Sequence, residues 1–118
     1  KSNLFYSILL FPFFSYEKRE TILKKIHSSL KVGGALISVE KVRSKSSHFE
    51  DILNQLYFDF KLQQDLTEEE ILLKAKSLRS SMYLFDEKTI FKSLSDCGFK
   101  EYEVFFKCFN FIGYIAIK

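Results

Sequence analysis

A chain of 118 residues, 47% hydrophobic, with four glycines and one proline, is sized for one core and has little material for a long flexible linker. Its net charge of +3, from 18 basic and 15 acidic residues spread along the chain, forms no basic stripe, so no direct nucleic-acid partner is expected. Two cysteines, Cys97 and Cys108, are too few for a disulfide framework and lack the paired spacing of a zinc site. The longest apolar run, Leu4 to Phe14, is interrupted by Ser7 and Pro12 and is too short to cross a bilayer. The expectation is a cytoplasmic protein with reduced thiols, no membrane partner and no metal.

In chain order, Leu4 to Phe11 is apolar at both alternating positions, which predicts a strand covered on both faces and ended by Pro12. Ser15 is the predicted N-cap of a helix with the stripe Ile22, Leu23, Ile26 and Leu30, and Gly33 suits the left-handed position just past it. Ala35 to Lys41 follows as a second strand. A helix, two glycines and a strand in succession make an αβ junction, which belongs to sheets with helices on their faces.

Val42 to Ser47 reads as a linker. Ser47 with Glu50 is the predicted capping box of a helix striped by Phe49, Ile52, Leu53, Leu56 and Phe60. Thr67 with Glu70 opens another, striped by Ile71, Ala75, Leu78 and Met82. This pair forms a helical insertion. Asp86 caps a further helix that turns Ile90, Phe91 and Leu94 inward and stops at Gly98. Tyr102 to Lys107 and Phe109 to Ile117 then read as an antiparallel hairpin.

The order β-α-β-(αα)-α-β-β divides a single partial domain into residues 1–42, a helical insertion over 43–84, and a helix with a terminal hairpin over 85–118. The strand at Leu4 to Phe11 would be a hydrophobic open edge that another strand must cover. With Lys1 in place of an initiator Met, the expectation is the C-terminal part of something longer.

Chemistry is sparse. Gly33-Gly34 precedes a strand, whereas a phosphate loop follows one and opens a helix, so junction geometry is the better reading. His27 and His48 lack a nucleophile arranged beside them and read as structural or solvated. Asp59 and Lys61 read as a solvated pair at a helix end, and Asn110 as a turn residue among core aromatics. Lys74, Lys76 and Arg79 place three cations on the second insertion helix. They are either a solvated face balanced by Glu68, Glu69 and Glu70 or an anion clamp, since a guanidinium grips a carboxylate with two parallel hydrogen bonds.

Lys31-Val32-Gly33-Gly34-Ala35-Leu36, Glu40-Lys41, Asp59-Phe60-Lys61, Cys97-Gly98-Phe99 and Phe106-Lys107-Cys108-Phe109-Asn110-Phe111 resemble the C-terminal half of the carboxy-S-adenosylmethionine synthases, over nearly the whole chain. The more specific parts are Asp-Phe-Lys in the insertion and Cys-Phe-Asn-Phe in the hairpin. The resemblance implies an α/β chain: the last four strands of a Rossmann-like S-adenosylmethionine-dependent methyltransferase fold, with the cofactor-binding N-terminal half absent. It implies S-adenosylmethionine or its carboxylated form as cofactor, prephenate as carboxyl donor, and a cytoplasmic homodimer joined through the helical insertion. The product would serve modification of the tRNA wobble uridine by a partner enzyme.

Two ligand-contacting positions of the family, an asparagine and an arginine, fall at Ile8 and Ala75, which cannot make those contacts. Arg79, one helical turn past Ala75, is the candidate carboxylate contact. No residue is assigned as catalytic or metal-binding, and the chain alone is expected to be inactive. The other readings are an ordinary S-adenosylmethionine-dependent methyltransferase and a non-catalytic dimerising half-domain.

Overall fold

The computed structural model describes residues 1–78 and 81–118. It runs β1 (Ser2–Ile8), α1 (Tyr16–Ser29), β2 (Leu30–Lys41), α2 (Ser47–Gln63), α3 (Glu68–Leu78), α4 (Glu87–Asp96), β3 (Glu101–Cys108) and β4 (Phe111–Ile117), with a 3-10 turn at Phe11–Phe13. The four strands form one sheet in the order β1-β2-β4-β3. β1 and β2 are parallel, joined through the α1 crossover, and the remaining pairs are antiparallel. The helix-crossover pair followed by a terminal hairpin is the arrangement the element order predicts.

β1 departs from expectation in length and in burial. It stops at Ile8, before Pro12, because Leu9 takes a left-handed φ of 55°, and Pro12 sits in the first turn of the short 3-10 helix. Far from being covered on both faces, β1 leaves Leu4, Phe5, Tyr6 and Ile8 exposed, and Ser7 is its buried residue. A strand with one neighbour has a bare backbone edge and packing on part of one face only. The strand is the hydrophobic open edge expected from the element order, while the expected cover on both faces is not found.

Ser15 caps α1 as predicted, its Oγ accepting the Lys18 N–H. The helix buries Leu23 and Ile26, and also Arg19. β2 begins at Leu30, directly after the helix, five residues earlier than its apolar pattern suggested. Its first residues are irregular: the pairing with β1 jumps from Ser2 opposite Leu30 to Leu4 opposite Ala35. Gly33 has φ +82° but lies within this irregular strand start, so it is not the helix cap, and its N–H donates to the Lys118 carbonyl. Gly34 is needed for space, because a Cβ there would lie 2.8 Å from the Lys31 oxygen and 3.0 Å from the Asn3 oxygen.

From Gly34 onward β2 alternates, burying Leu36, Ser38 and Glu40 on one face. On that face α1 and α4 contribute Leu23, Ile26, Ile90 and Leu94, and β4 contributes Ile112, Tyr114 and Ala116. Each of the fully buried aliphatic side chains adds about 1.5–3 kcal/mol relative to exposure. α4 starts at Asp86, whose carboxylate accepts the Thr89 N–H at 2.8 Å, and stops at Gly98 with φ +102°. Both ends match the sequence reading.

The insertion is where packing overrides pattern. α2 is capped by Ser46, one residue before the predicted Ser47, and Glu50 reaches past the helix start to accept the Ser44 N–H at 2.9 Å. The reciprocal box of Thr67 and Glu70 forms at α3 as predicted. Yet α2 completely buries none of its side chains among the described residues, and Phe49, Ile52, Leu56 and Phe60 of its predicted apolar stripe are exposed. On α3, Ile71 is buried, Ala75 is exposed, and Leu72 and Leu73 are also exposed. Among the described residues no helix is long and apolar enough to cross a membrane.

Candidate binding site at the carboxyl ends of the strands

In open α/β sheets, ligands occupy the crevice outside the carboxyl ends of the parallel strands. Here those ends are Ile8 of β1 and Lys41 of β2, and a buried polar network lies just beneath them. Arg19 donates from both terminal nitrogens to the Glu40 carboxylate, at 3.0 and 2.5 Å, and the Tyr114 hydroxyl donates to the same carboxylate at 2.7 Å. The guanidinium also lies over the Phe11 and Phe85 rings, 5.0 and 5.4 Å from their centroids.

Burial works against the charge on Arg19, but the hydrogen bond and charge of Glu40 outweigh it and hold the pKa above the ordinary value. Burial and the Glu40 charge push the Tyr114 phenol well above its usual range. The network therefore holds its charges fixed and ties α1, β2 and β4 together below the crevice. Sequence reasoning passed over it. The available signal was local: Arg19 falls in the apolar stripe three and four residues before Ile22 and Leu23, and Glu40 continues the inward alternation of β2.

The two motifs singled out as specific, Asp59-Phe60-Lys61 and Cys108-Phe109-Asn110-Phe111, meet beside the crevice. The β3–β4 turn places Phe109 at φ 52° and buries Asn110, whose amide donates to Glu50 at 3.1 Å and Asn54 at 2.6 Å. Tyr57 packs 5.6 Å from Phe109 and 5.3 Å from Phe111, and Phe60 packs 5.3 Å from Phe109. Thus α2 docks through a row of mixed polarity, Glu50, Asn54 and Tyr57, and turns much of its apolar stripe outward.

Lys61 and Lys41 place their ammonium groups 4.2 and 5.8 Å from the centre of the Tyr57 ring. Burial depresses the pKa of Lys41, and burial followed by the charges of Lys41 and Lys74 depresses that of Lys61. Lys61 does not pair with Asp59, which accepts from Gln55 instead. A groove of about 540 Å³ opens alongside, lined by Lys41, Arg43, Glu50, Asp51 and Asn54 among others.

The remaining sequence candidates are dispersed. Arg79 lies outside the described residues. Gly33 and Gly34 stand at the start of β2, away from the carboxyl ends. His27 is structural, with Nε2 3.1 Å from the Gly98 carbonyl and its ring edge-on to Phe99. His48 is exposed and packs against Phe49. Cys97 is buried and burial raises its thiol pKa, while Cys108 is exposed. Glycines that could admit a nucleotide must follow a strand, and those of this chain do not follow β1 or β2. The described residues do not form a glycine-lined cradle for adenosine.

No family model matches the sequence. The carboxy-S-adenosyl-L-methionine synthase of Staphylococcus epidermidis is 40% identical over 112 residues, which is 95% of this chain and 49% of that protein. The synthase of Sulfurimonas denitrificans is 39% identical over 118 residues, 100% of this chain and 50% of that protein. This chain is similar in sequence to the carboxy-S-adenosyl-L-methionine synthases. It spans about half the length of the curated synthases it matches, corresponding to their C-terminal half.

Solved structures agree on the fold. PigF with SAH aligns over 98% of this chain and 30% of its own, with TM-score 0.65 and 16% identity. Human N-acetylserotonin methyltransferase in complex with SAM aligns over 98% of this chain and 29% of its own, with TM-score 0.63 and 16% identity. This chain thus has the α/β architecture of a partial Rossmann-like methyltransferase fold.

Proposed function

We propose that the protein containing this chain is an S-adenosylmethionine-dependent transferase of the carboxy-S-adenosylmethionine synthase type. It takes S-adenosylmethionine and prephenate and delivers the carboxylated cofactor for tRNA wobble-uridine modification in the cytoplasm. The observation that carries this reading is the 40% identity to a synthase over nearly the whole chain, joined to the methyltransferase sheet order.

In this reading the chain is one part of the catalytic domain. The bare edge of β1, with Leu4, Phe5, Tyr6 and Ile8 exposed, is where a strand from the cofactor-binding half pairs, and the chain without that half is inactive. The outward stripes of the insertion, with Phe49, Ile52 and Leu56 on α2 and Leu72 and Leu73 on α3, are the surface through which two copies form a homodimer. Arg79 is the candidate contact for the added carboxylate.

Native mass spectrometry of the full-length protein tests the proposal. A retained ligand with the mass of the carboxylated cofactor supports it, and turnover of S-adenosylmethionine and prephenate without that product refutes it. An ordinary methyltransferase is the second reading, favoured by Ala75 standing where the resemblance implies an arginine. It predicts a methylated product and no dependence on prephenate. If Arg79→Ala leaves binding of the carboxylated cofactor unchanged, that side chain is not the carboxylate contact.

A further inference from the structure

Two elements distant in sequence bring ammonium groups to one aromatic ring beside the crevice, and the charge of a lysine on a third element reaches one of them. Lys41 ends β2, Lys61 lies in the last turn of α2, and Lys74 lies on α3. Lys41 and Lys61 share one aromatic ring, that of Tyr57, at 5.8 and 4.2 Å. Among the described residues neither forms an ion pair. Glu50 is the acid whose field reaches Lys41, and its two oxygens are already engaged by the Ser44 N–H and the Asn110 amide.

We propose that Lys41 and Lys61, over the Tyr57 ring and with Lys74 as a third cation, form a binding site for the carboxylate or phosphate of a small ligand. The proposal goes beyond the transferase reading and does not rest on it. Its physical basis is the cost of the arrangement without an anion. Like charges gathered around one ring and partly removed from water repel one another, and the ring's negative face offsets this only in part. An oxyanion between the ammonium groups would relieve the repulsion and receive charge-assisted hydrogen bonds.

Burial first, and then the charges of Lys41 and Lys74, lower the pKa of Lys61, in keeping with cations held near one another. The position also suits the role. The cluster stands at the carboxyl end of β2, where an open α/β sheet presents its ligands, and Lys41 lines the neighbouring groove. Asn110 and the aromatic packing of Phe109 and Phe111 on Tyr57 hold α2 against the hairpin, so the ring that floors the site is fixed by the turn.

Calorimetric titration of the full-length protein with malonate, and separately with inorganic phosphate, tests this. Saturable binding of at least one anion at roughly millimolar strength is expected. Lys61→Gln and Lys41→Gln should each weaken it roughly tenfold. Lys61→Arg should preserve it, and so should Lys92→Gln, which removes an exposed ammonium paired with Asp96 on α4. Tighter malonate identifies a carboxylate ligand, and tighter phosphate identifies a phosphate ligand. Absence of saturable binding with both anions, or unchanged affinity in both glutamine variants, overturns the proposal. Failure to retain S-adenosylmethionine while these anions still bind would count against the transferase reading and leave this site standing.

Discussion

Breaking the Arg19–Glu40 pair should be far more costly than removing it whole. Both side chains are almost fully buried, at 0% and 1% exposure, and three hydrogen bonds converge on the Glu40 carboxylate. Glu40→Leu strands a guanidinium whose Nε already lacks a hydrogen-bond partner, and leaves the Tyr114 hydroxyl without its acceptor. Removing one partner of a buried pair costs about 3–5 kcal/mol. Orphaning the hydroxyl adds about 1 kcal/mol. Against a total stability of about 5–15 kcal/mol, that loss is severe.

Arg19→Met is expected to cost a similar amount, since it leaves the carboxylate buried with the Tyr114 hydrogen bond alone. The double variant Arg19→Met/Glu40→Leu removes both charges and fills their space with apolar atoms, so it should cost less than either single change. Urea unfolding of the full-length protein, followed by far-UV circular dichroism for all four species, yields the coupling energy. Several kcal/mol of favourable coupling is expected. A double variant whose loss equals the two single losses combined would refute the reasoning and show that these charges do not depend on each other.

Other outcomes follow from single positions. Gly34→Ala should lower stability by about 1–3 kcal/mol, because its methyl meets backbone oxygens that cannot move aside, whereas Gly33→Asn should cost less, since only the left-handed φ is strained there and Asn bears it better than other side chains; urea midpoints compare them. Asn110→Ala should release α2 from the hairpin, seen as faster amide hydrogen exchange confined to α2 and the β3–β4 turn. Above its ordinary value of 10.0, Tyr114 ionises in the unfolded chain while burial keeps it neutral in the fold. The unfolded state then binds fewer protons and stability falls as pH rises; Tyr114→Phe should remove much of this alkaline loss in pH-dependent unfolding curves. Leu56→Asp with Leu72→Asp should convert the proposed homodimer to monomer in sedimentation, and an unaltered dimer would exclude the insertion as the interface.

The linear chain carries the order of the helices and strands and several of their ends. Ser15, the Thr67–Glu70 box, Asp86 and Gly98 act through contacts a few residues apart, so their consequences are legible in a linear chain. Periodicity likewise located the strands, because alternation is a property of neighbours. The family-like motifs at 59–61 and 106–111 were visible as words, but nothing in either word says that they touch.

Tertiary structure alone decided which faces are covered. β1 stands at the open edge that the element order predicts, but its apolar pattern did not say that Leu4, Phe5, Tyr6 and Ile8 would be exposed, because burial of a face depends on what packs against it. α2 carries an apolar stripe, yet it docks through Glu50, Asn54 and Tyr57, because the hairpin turn offers Asn110 and two aromatic rings. The Arg19–Glu40 pair spans 21 residues, and the two lysines over Tyr57 come from a strand and a helix. Charges attract or repel through space, with a strength set by distance and by exclusion of water, and neither quantity exists until the chain has folded.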